Sequence, residues 1–116
     1  MSNIIRFVKG DTFYCNTSVM YSDGTDFIIP DDCKIYLTVK RNYNSTPLIA
    51  LNLQNGLELK DNKIEIKFTP EMTTKLLPGD YKYDVQLLLS TGDKFTVIAN
   101  EKFILIPEIT TTQEEV

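Results

Sequence analysis

The chain has 116 residues, of which 42% are hydrophobic, and a formal net charge of −4 at pH 7. This length fits a single domain whose core is large enough to fold without metals or disulfide bridges. The acidic balance, with no cluster of Lys and Arg, argues against nucleic-acid binding. No apolar run approaches the roughly 18 residues of a membrane span, and the N-terminus lacks a signal-peptide pattern. We therefore expect a soluble protein with no nucleic-acid partner and no membrane partner.

The composition also bears on catalysis. The chain contains no histidine, which removes the commonest general base and most catalytic triads. Its five glycines are scattered and build no phosphate-binding loop. Cys15 and Cys33 cannot supply a usual zinc site without histidine, and we expect two free thiols, with a disulfide as the less favoured alternative. We predict no enzymatic activity, and no catalytic, cofactor-binding or metal-binding residues.

Hydrophobic residues alternate with polar ones along most of the chain, as in strands that bury one face. The alternating runs, in chain order, are residues 13–21, 35–39, 49–53, 64–68, 81–89 and 95–99. Gly, Asn and Asp, which suit tight turns, separate these runs. Short strands with regular turn signals indicate a β-sandwich or a barrel, and we expect an antiparallel all-β sandwich of about seven to nine strands.

Residues 70–77 break the alternation. This segment begins with a proline, which suits the first position of a helix, so we predict one short helical turn between the sheets. The residues that follow, Pro78, Gly79 and Tyr81, resemble the corner between strands E and F of immunoglobulin-like sandwiches, where a Tyr hydroxyl bonds to upstream backbone. Tyr81 is preferred to Tyr83, which has the same parity, as the corner residue.

Six apolar residues fall on strand faces that the alternation predicts to be exposed to solvent, and we take them as interface candidates. One explanation is a bulge near Asn100 that reverses the alternation of the last strand. The other is a cover on both faces, supplied by a partner or by the N-terminal segment. Both explanations stay open. The candidates are Tyr14, Met20, Leu88, Ile98, Ile104 and Ile106.

The two ends of the domain are also predicted. Residues 1–107 are expected to form the single domain, and residues 108–116 an extended C-terminal tail. The tail contains three consecutive Thr followed by Gln-Glu-Glu. A frayed terminus is the favoured interpretation, and an arm that orders on a neighbouring subunit is the alternative.

The order of these features resembles the small immunoglobulin-like β-sandwich modules of tailed-bacteriophage virion proteins, such as the N-terminal domain of phage baseplate upper proteins. The resemblance covers residues 3–107. The segments that carry it are residues 8–13 (VKGDTF), 23–25 (DGT), 35–40 (IYLTVK), 64–71 (IEIKFTPE), 77–87 (LPGDYKYDVQL) and 91–93 (TGD).

The resemblance implies a virion structural protein that is made in the bacterial host cytoplasm. Its expected partners are other virion proteins of the head, neck or tail and baseplate, and it is expected to form homo-oligomers or to be present in many copies. Baseplate modules of this kind continue into a longer chain, whereas this sequence stops at Val116. An adaptor, decoration or head-fibre-base role is therefore expected at least as much as a baseplate role. The resemblance brings no catalytic residues and no cofactor.

A carbohydrate-binding or adhesion module is the alternative function on the same fold. Sugar-binding platforms need exposed aromatic side chains with polar neighbours. The chain has no Trp, and its exposed tyrosine candidates, Tyr14, Tyr36 and Tyr43, are not clustered in sequence.

Overall fold

A computed structural model of the chain describes residues 3–109 and contains eight strands and one short helix. The five-stranded sheet has the order β1-β8-β7-β3-β4, and the three-stranded sheet has the order β2-β6-β5. The predicted all-β sandwich is therefore confirmed. The elements are β1 (Ile5–Val8), β2 (Phe13–Thr17), β3 (Lys34–Lys40), β4 (Ile49–Asn52), β5 (Leu57–Lys60), β6 (Lys63–Phe68), α1 (Pro70–Thr73), β7 (Gly79–Leu88) and β8 (Lys94–Ile106).

The strand order is that of an immunoglobulin-like sandwich. In that lettering β2, β6 and β5 correspond to strands B, E and D, while β3, β7 and β8 correspond to C, F and G, with β4 as C′. One pairing departs from the predicted antiparallel arrangement, because β1 runs parallel to β8, with Ile5 opposite Phe103 and Val8 opposite Ile106.

The two sheets enclose one core formed by the alternating residues seen in the sequence. In β6 and β7 every second residue is buried, and the residues between them are half-buried or exposed. Phe103 lies at the aromatic centre, with its ring centroid 5.3 Å from that of Phe68 and 5.7 Å from that of Phe7. Edge-to-face contacts of this kind favour a defined packing of the rings.

The connection between β6 and β7 contains the predicted helical turn and corner. Helix α1 covers four residues and is shorter than the predicted segment 70–77. Its Thr73 side chain is fully buried and accepts a hydrogen bond from the backbone N–H of Gly10 at 2.9 Å. After Pro78 the chain enters β7 at Gly79, and in this strand the Tyr81 hydroxyl donates to the carbonyl oxygen of Leu77 at 2.5 Å. This hydroxyl ties the start of β7 to the segment just before it.

Strand β8 does not keep the simple alternation that the sequence suggests. The strand has 13 residues, and its pairing with β7 contains two shifts of register, one between Tyr83 and Val85 and one between Val85 and Gln86. Asn100, beside the first shift, has a φ angle of 51°. These bulges turn Ile98 inward, where it is 6% exposed and part of the core. The prediction that Ile98 lies on the solvent face is therefore wrong. Of the two explanations given for the last strand, the structure contains the bulge near Asn100.

The described part of the chain ends shortly after β8. The strand stops at Ile106, and residues 107–109 follow it outside any strand. The tail predicted for residues 108–116 lies mostly outside the described residues. Within residues 3–109, no helix is long and apolar enough to cross a membrane.

Candidate docking surface

The structure distributes the six interface candidates over several surfaces. Tyr14, on the outer face of the three-stranded sheet, is 68% exposed, and Met20, in the connection after β2, is 57% exposed. Leu88, Ile104 and Ile106 are half-buried on the outer face of the five-stranded sheet. With Ile98 in the core, the six residues do not form one interface.

Two of the candidates do lie together. Ile104 and Ile106 project from the same face of β8, and β1 places Arg6 and Val8 opposite them. Asp80 of β7 flanks Ile104 on the other side. With Val8 the two isoleucines form a small apolar patch, bordered by the charged Arg6 and Asp80. A few exposed apolar side chains are common on protein surfaces and do not by themselves mark an interface.

A larger uncovered region lies on the side of the sandwich formed by β2 and the first half of β8, which we term the open side. Within residues 3–109, β2 is paired with β6 alone, and β1 pairs only with Phe103–Ile106 at the far end of β8. The inward residues of β2 are accordingly half-buried, whereas those of its neighbour β6 are buried. Two sheet edges thus reach solvent on the same side.

A groove of about 300 Å³ lies on the open side, between the segment that follows β2 and the first half of β8. Val19 and Leu87, both buried, form its base. Three large apolar side chains along the groove are exposed to solvent: Met20 by 57%, Tyr21 by 56% and Phe95 by 48%. Apolar side chains that stay exposed together around a concavity are typical of protein-binding surfaces.

Sequence reasoning missed two of these three residues. The alternation placed Tyr21 and Phe95 on inward faces, and Phe95 does lie opposite the buried Leu87 across the β7–β8 pair. Phe95 remains exposed because the three-stranded sheet is too narrow to cover this end of β8, and Tyr21 because β2 ends at Thr17 and Tyr21 begins the following turn. A sequence signal exists only for Tyr21, since the turn residues Ser22, Asp23 and Gly24 follow it directly and mark the end of the strand.

No group of three or more His, Cys, Asp or Glu side chains within residues 3–109 is placed to hold a metal ion. Cys15 and Cys33 are both free thiols. Burial, together with the negative charge of Glu65, raises the pKa of the Cys15 thiol to about 11, and burial also raises the pKa of Cys33. Protonated thiols are poor nucleophiles at neutral pH, so neither cysteine is activated.

The three tyrosines of the carbohydrate-binding alternative do not form one platform. Tyr14 lies on the three-stranded sheet, whereas Tyr36 projects from the opposite sheet between Asn52 and Gln86 of the neighbouring strands. Tyr43, 82% exposed, follows β3 and lines a shallow cavity. The polar residues of that cavity are Thr38, Lys40, Asn42, Lys82, Asp84 and Asn100.

No protein-family model matches this sequence, and a comparison with curated proteins finds none that is significantly similar. Function is therefore inferred from the surfaces described above, together with the resemblance in the pattern of the sequence.

Proposed function

We propose that this chain is a structural protein of a tailed-bacteriophage virion. It docks as an adaptor, decoration or fibre-base module on proteins of the head, neck or tail and baseplate, and it is present there in several copies. The observation that carries the proposal is that the sandwich, the helical turn α1 and the Tyr81 corner lie where the sequence segments that resemble the phage modules predict them. Fold alone does not specify function, so the surfaces must supply the rest.

The open side supports binding to another protein. Its groove is lined by Met20, Tyr21 and Phe95, which are large and exposed, and aromatic residues and Met are enriched where proteins meet. Two sheet edges border the same region, and an unpaired edge offers backbone donors and acceptors to an added strand. The proposed role therefore requires no chemistry beyond protein–protein contact, in line with protonated thiols and a chain without histidine.

The test is mass spectrometry of purified particles of the phage whose genome carries this sequence, combined with chemical cross-linking. We expect the chain in stoichiometric amounts, cross-linked to capsid, neck or tail proteins. A phage replication enzyme followed in the same preparation serves as the control for contamination. Absence of the chain from washed particles, at a level matching that control, would refute the virion role.

A second experiment tests the groove as the contact with the particle. Purified chain labelled with a fluorophore is added to particles that lack it, and its retention is measured. We expect Phe95→Ser and Met20→Ser to lower retention at least tenfold, because both substitutions remove apolar surface from the groove. Leu48→Ser, an exposed leucine beside the opposite edge strand β4, is the matched control and should bind as the unsubstituted chain does. Equal retention of all three variants would exclude the groove.

A carbohydrate-binding role is the second candidate, and the cavity beside Tyr43 favours it. An exposed aromatic ring next to hydroxyl, amide and charged side chains is the combination on which sugars stack and hydrogen-bond. Binding on a glycan array that Tyr43→Ala abolishes and Tyr14→Ala leaves intact would support this role. No glycan binding by the unsubstituted chain would dismiss it.

A further inference from the structure

The hydrogen-bonding direction of β6 determines which backbone groups of β2 face solvent. The backbone N–H of Lys67 donates to the carbonyl oxygen of Gly56 at 2.9 Å, so the backbone groups of Lys67 point towards β5. Backbone groups alternate in direction along a strand, so those of Ile66 and Phe68 point towards β2. Their register partners in β2 are Cys15 and Phe13. These residues therefore bond to β6, and the residues between them, Tyr14 and Asn16, direct N–H and C=O away from the sheet.

Nothing in residues 3–109 covers these outward groups. No backbone hydrogen bond from a turn, loop or other strand reaches Tyr14 or Asn16. Edge strands of natural proteins are usually protected by a charged residue, a proline or a bulge. β2 has none of these, because its sequence is FYCNT and its register with β6 is unbroken. An unprotected edge of this kind is a template for pairing with another strand.

We propose that two copies of this chain pair through the free edge of β2, antiparallel and around a twofold axis at Cys15. The two three-stranded sheets then join into one continuous sheet. In this register Tyr14 of each copy lies opposite Asn16 of the other, and each of these two pairs exchanges two backbone hydrogen bonds. Cys15 faces Cys15 of the second copy as the non-hydrogen-bonded pair at the axis, with Cα atoms about 4.5 Å apart.

Charge favours a second copy as the occupant of this edge. On the outer face Tyr14 lies beside Lys67, whose Nζ is 5.5 Å from the tyrosine ring centroid, and Asn16 lies beside Glu65. The twofold axis therefore builds two rows across β6 and β2 of one copy and β2 and β6 of the other, each running from Lys67 through Tyr14 and Asn16 to Glu65 of the other copy. The residues that meet across the axis are uncharged, and the nearest charges of the two copies in each row have opposite signs. The like-charged pair of Glu58 and Glu65 lies within each copy and is already present in the monomer. On the inner face, the half-buried Phe13, Cys15 and Thr17 gain cover.

The inference deepens the multicopy aspect of the proposed function, on which it rests, by naming the contact between copies. Its tests use only the purified chain, whereas the virion experiments need particles. A chain found in particles but monomeric in solution would leave the virion role standing and overturn this inference. A chain that forms this dimer in solution but is absent from particles would support the pairing through β2 and refute the virion role.

Cross-linking at Cys15 tests the axis directly. The variant Cys33→Ser leaves Cys15 as the one thiol, and diamide accepts the two electrons and two protons released when two thiols form a disulfide. We expect concentration-dependent dimers by sedimentation equilibrium and a covalent dimer after oxidation at pH 9, since a Cα separation of about 4.5 Å lies within disulfide geometry. The double variant with Cys15→Ser should dimerise without the covalent product. A monomer at every concentration overturns the proposal.

A proline substitution tests the edge itself. Asn16→Pro removes an N–H that points to solvent in the monomer, a position where edge strands tolerate proline. We expect at least a tenfold weaker dimer with a melting temperature close to that of the unsubstituted monomer. Leu59→Pro is the control, because the same alternation places the Leu59 N–H on the outer edge of β5, and it should dimerise normally. A dimer that survives Asn16→Pro without a Cys15 cross-link overturns the proposal, as does a dimer that disappears only when residues 110–116 are removed.

Discussion

At the scale of single residues, two core tyrosines link packing to chain connectivity. The Tyr81 ring lies in the core beside Phe103, with the Arg41 guanidinium 4.7 Å from its centroid, while its hydroxyl reaches the Leu77 carbonyl. The Tyr83 hydroxyl donates to the carbonyl oxygen of Asn3, 80 positions earlier in the chain. Each ring is buried, and its hydroxyl group makes a hydrogen bond to a backbone carbonyl. Buried tyrosines usually need such a partner for the hydroxyl.

Tyr81→Phe should destabilise the fold by about 1–2 kcal/mol, because it leaves the Leu77 carbonyl without its donor while the ring packing is retained. Urea unfolding followed by fluorescence measures the change. Tyr36→Phe, at an exposed position on β3, is the matched control and should alter the stability by less than about 0.5 kcal/mol. Equal effects of the two substitutions would show that the Tyr81 hydrogen bond adds nothing.

Stability should fall in alkaline solution because of Cys15 and Tyr83. Burial raises the pKa of Cys15 to about 11, and burial also raises the pKa of Tyr83. A cysteine thiol in the unfolded chain ionises near pH 8.5. From there up to about pH 11 the unfolded state releases protons that the folded state retains, so the free energy of unfolding decreases with rising pH. Below that range the contribution is complete.

The urea midpoint measured at pH 8 and pH 10 gives this loss of stability. Cys15→Ala should retain more of its pH 8 stability at pH 10 than the unsubstituted chain does. Cys33→Ala controls for the loss of a thiol at another position. A pH dependence that Cys15→Ala leaves unchanged would contradict the assignment to Cys15.

At the scale of elements, alternation predicted the regular strands well and failed where pairing is irregular. The buried sets of β3, β6 and β7 follow directly from residues such as Ile35, Ile64 and Val85. In β8 the burial of Ile98 depends on extra residues opposite β7. The apolar residues of wrong parity in this strand indicated a bulge near Asn100 as one explanation, but the pattern alone did not distinguish a bulge from a strand covered on both faces. An Asn at the bulge is compatible with a positive φ angle, but Asn is equally common in ordinary turns.

Ile98→Ala measures the burial that the bulges produce. We expect a loss of about 2–4 kcal/mol, since a fully enclosed isoleucine leaves a cavity. Ile104→Ala on the outer face of the same strand should cost less, because Ile104 is only half-buried. Chemical denaturation of both variants gives the comparison. If Ile98→Ala costs no more than Ile104→Ala, Ile98 lies on the outer face of β8, as the bare alternation predicts.

Two glycines with nearly the same backbone conformation allow the cost of backbone strain and the cost of steric overlap to be measured separately. Gly56 and Gly92 have φ angles of 94° and 95°, but a Cβ at Gly56 would lie 2.8 Å from Cδ2 of Leu51, whereas nothing lies within 4 Å at Gly92. Gly92→Ala should cost about 1–2 kcal/mol from the left-handed conformation alone. Gly56→Ala should cost more, because it also displaces buried Leu51.

Thermal denaturation of Gly56→Ala and Gly92→Ala gives the difference in stability. Leu51→Val, combined with Gly56→Ala, should recover part of the additional loss by making room for the new methyl group. Equal melting temperatures for the two glycine variants would indicate that the chain around Gly56 relaxes without cost.

At the scale of the whole molecule, the unequal widths of the two sheets create the candidate site. A five-stranded sheet packed on a three-stranded one leaves the first half of β8 uncovered, and this exposes Phe95 and Met20 along the groove. The free edge of β2 has the same origin, because β1 pairs with β8 instead of β2. Sequence alternation indicates which residues face inward, but it does not tell how far the opposite sheet extends. The fold was therefore predictable and the position of the open side was not.

The parallel contact between β1 and β8 also determines how the domain bears a mechanical load. Traction on the first strand and on the last strand, in opposite directions, slides Ile5–Val8 lengthwise along Phe103–Ile106. The hydrogen bonds between the two strands, together with the bond from the Lys9 N–H to the Ile106 carbonyl, are then strained at the same time instead of breaking one after another. A module built in this way resists extension along its own chain, so force spectroscopy should record an abrupt rupture rather than gradual unzipping.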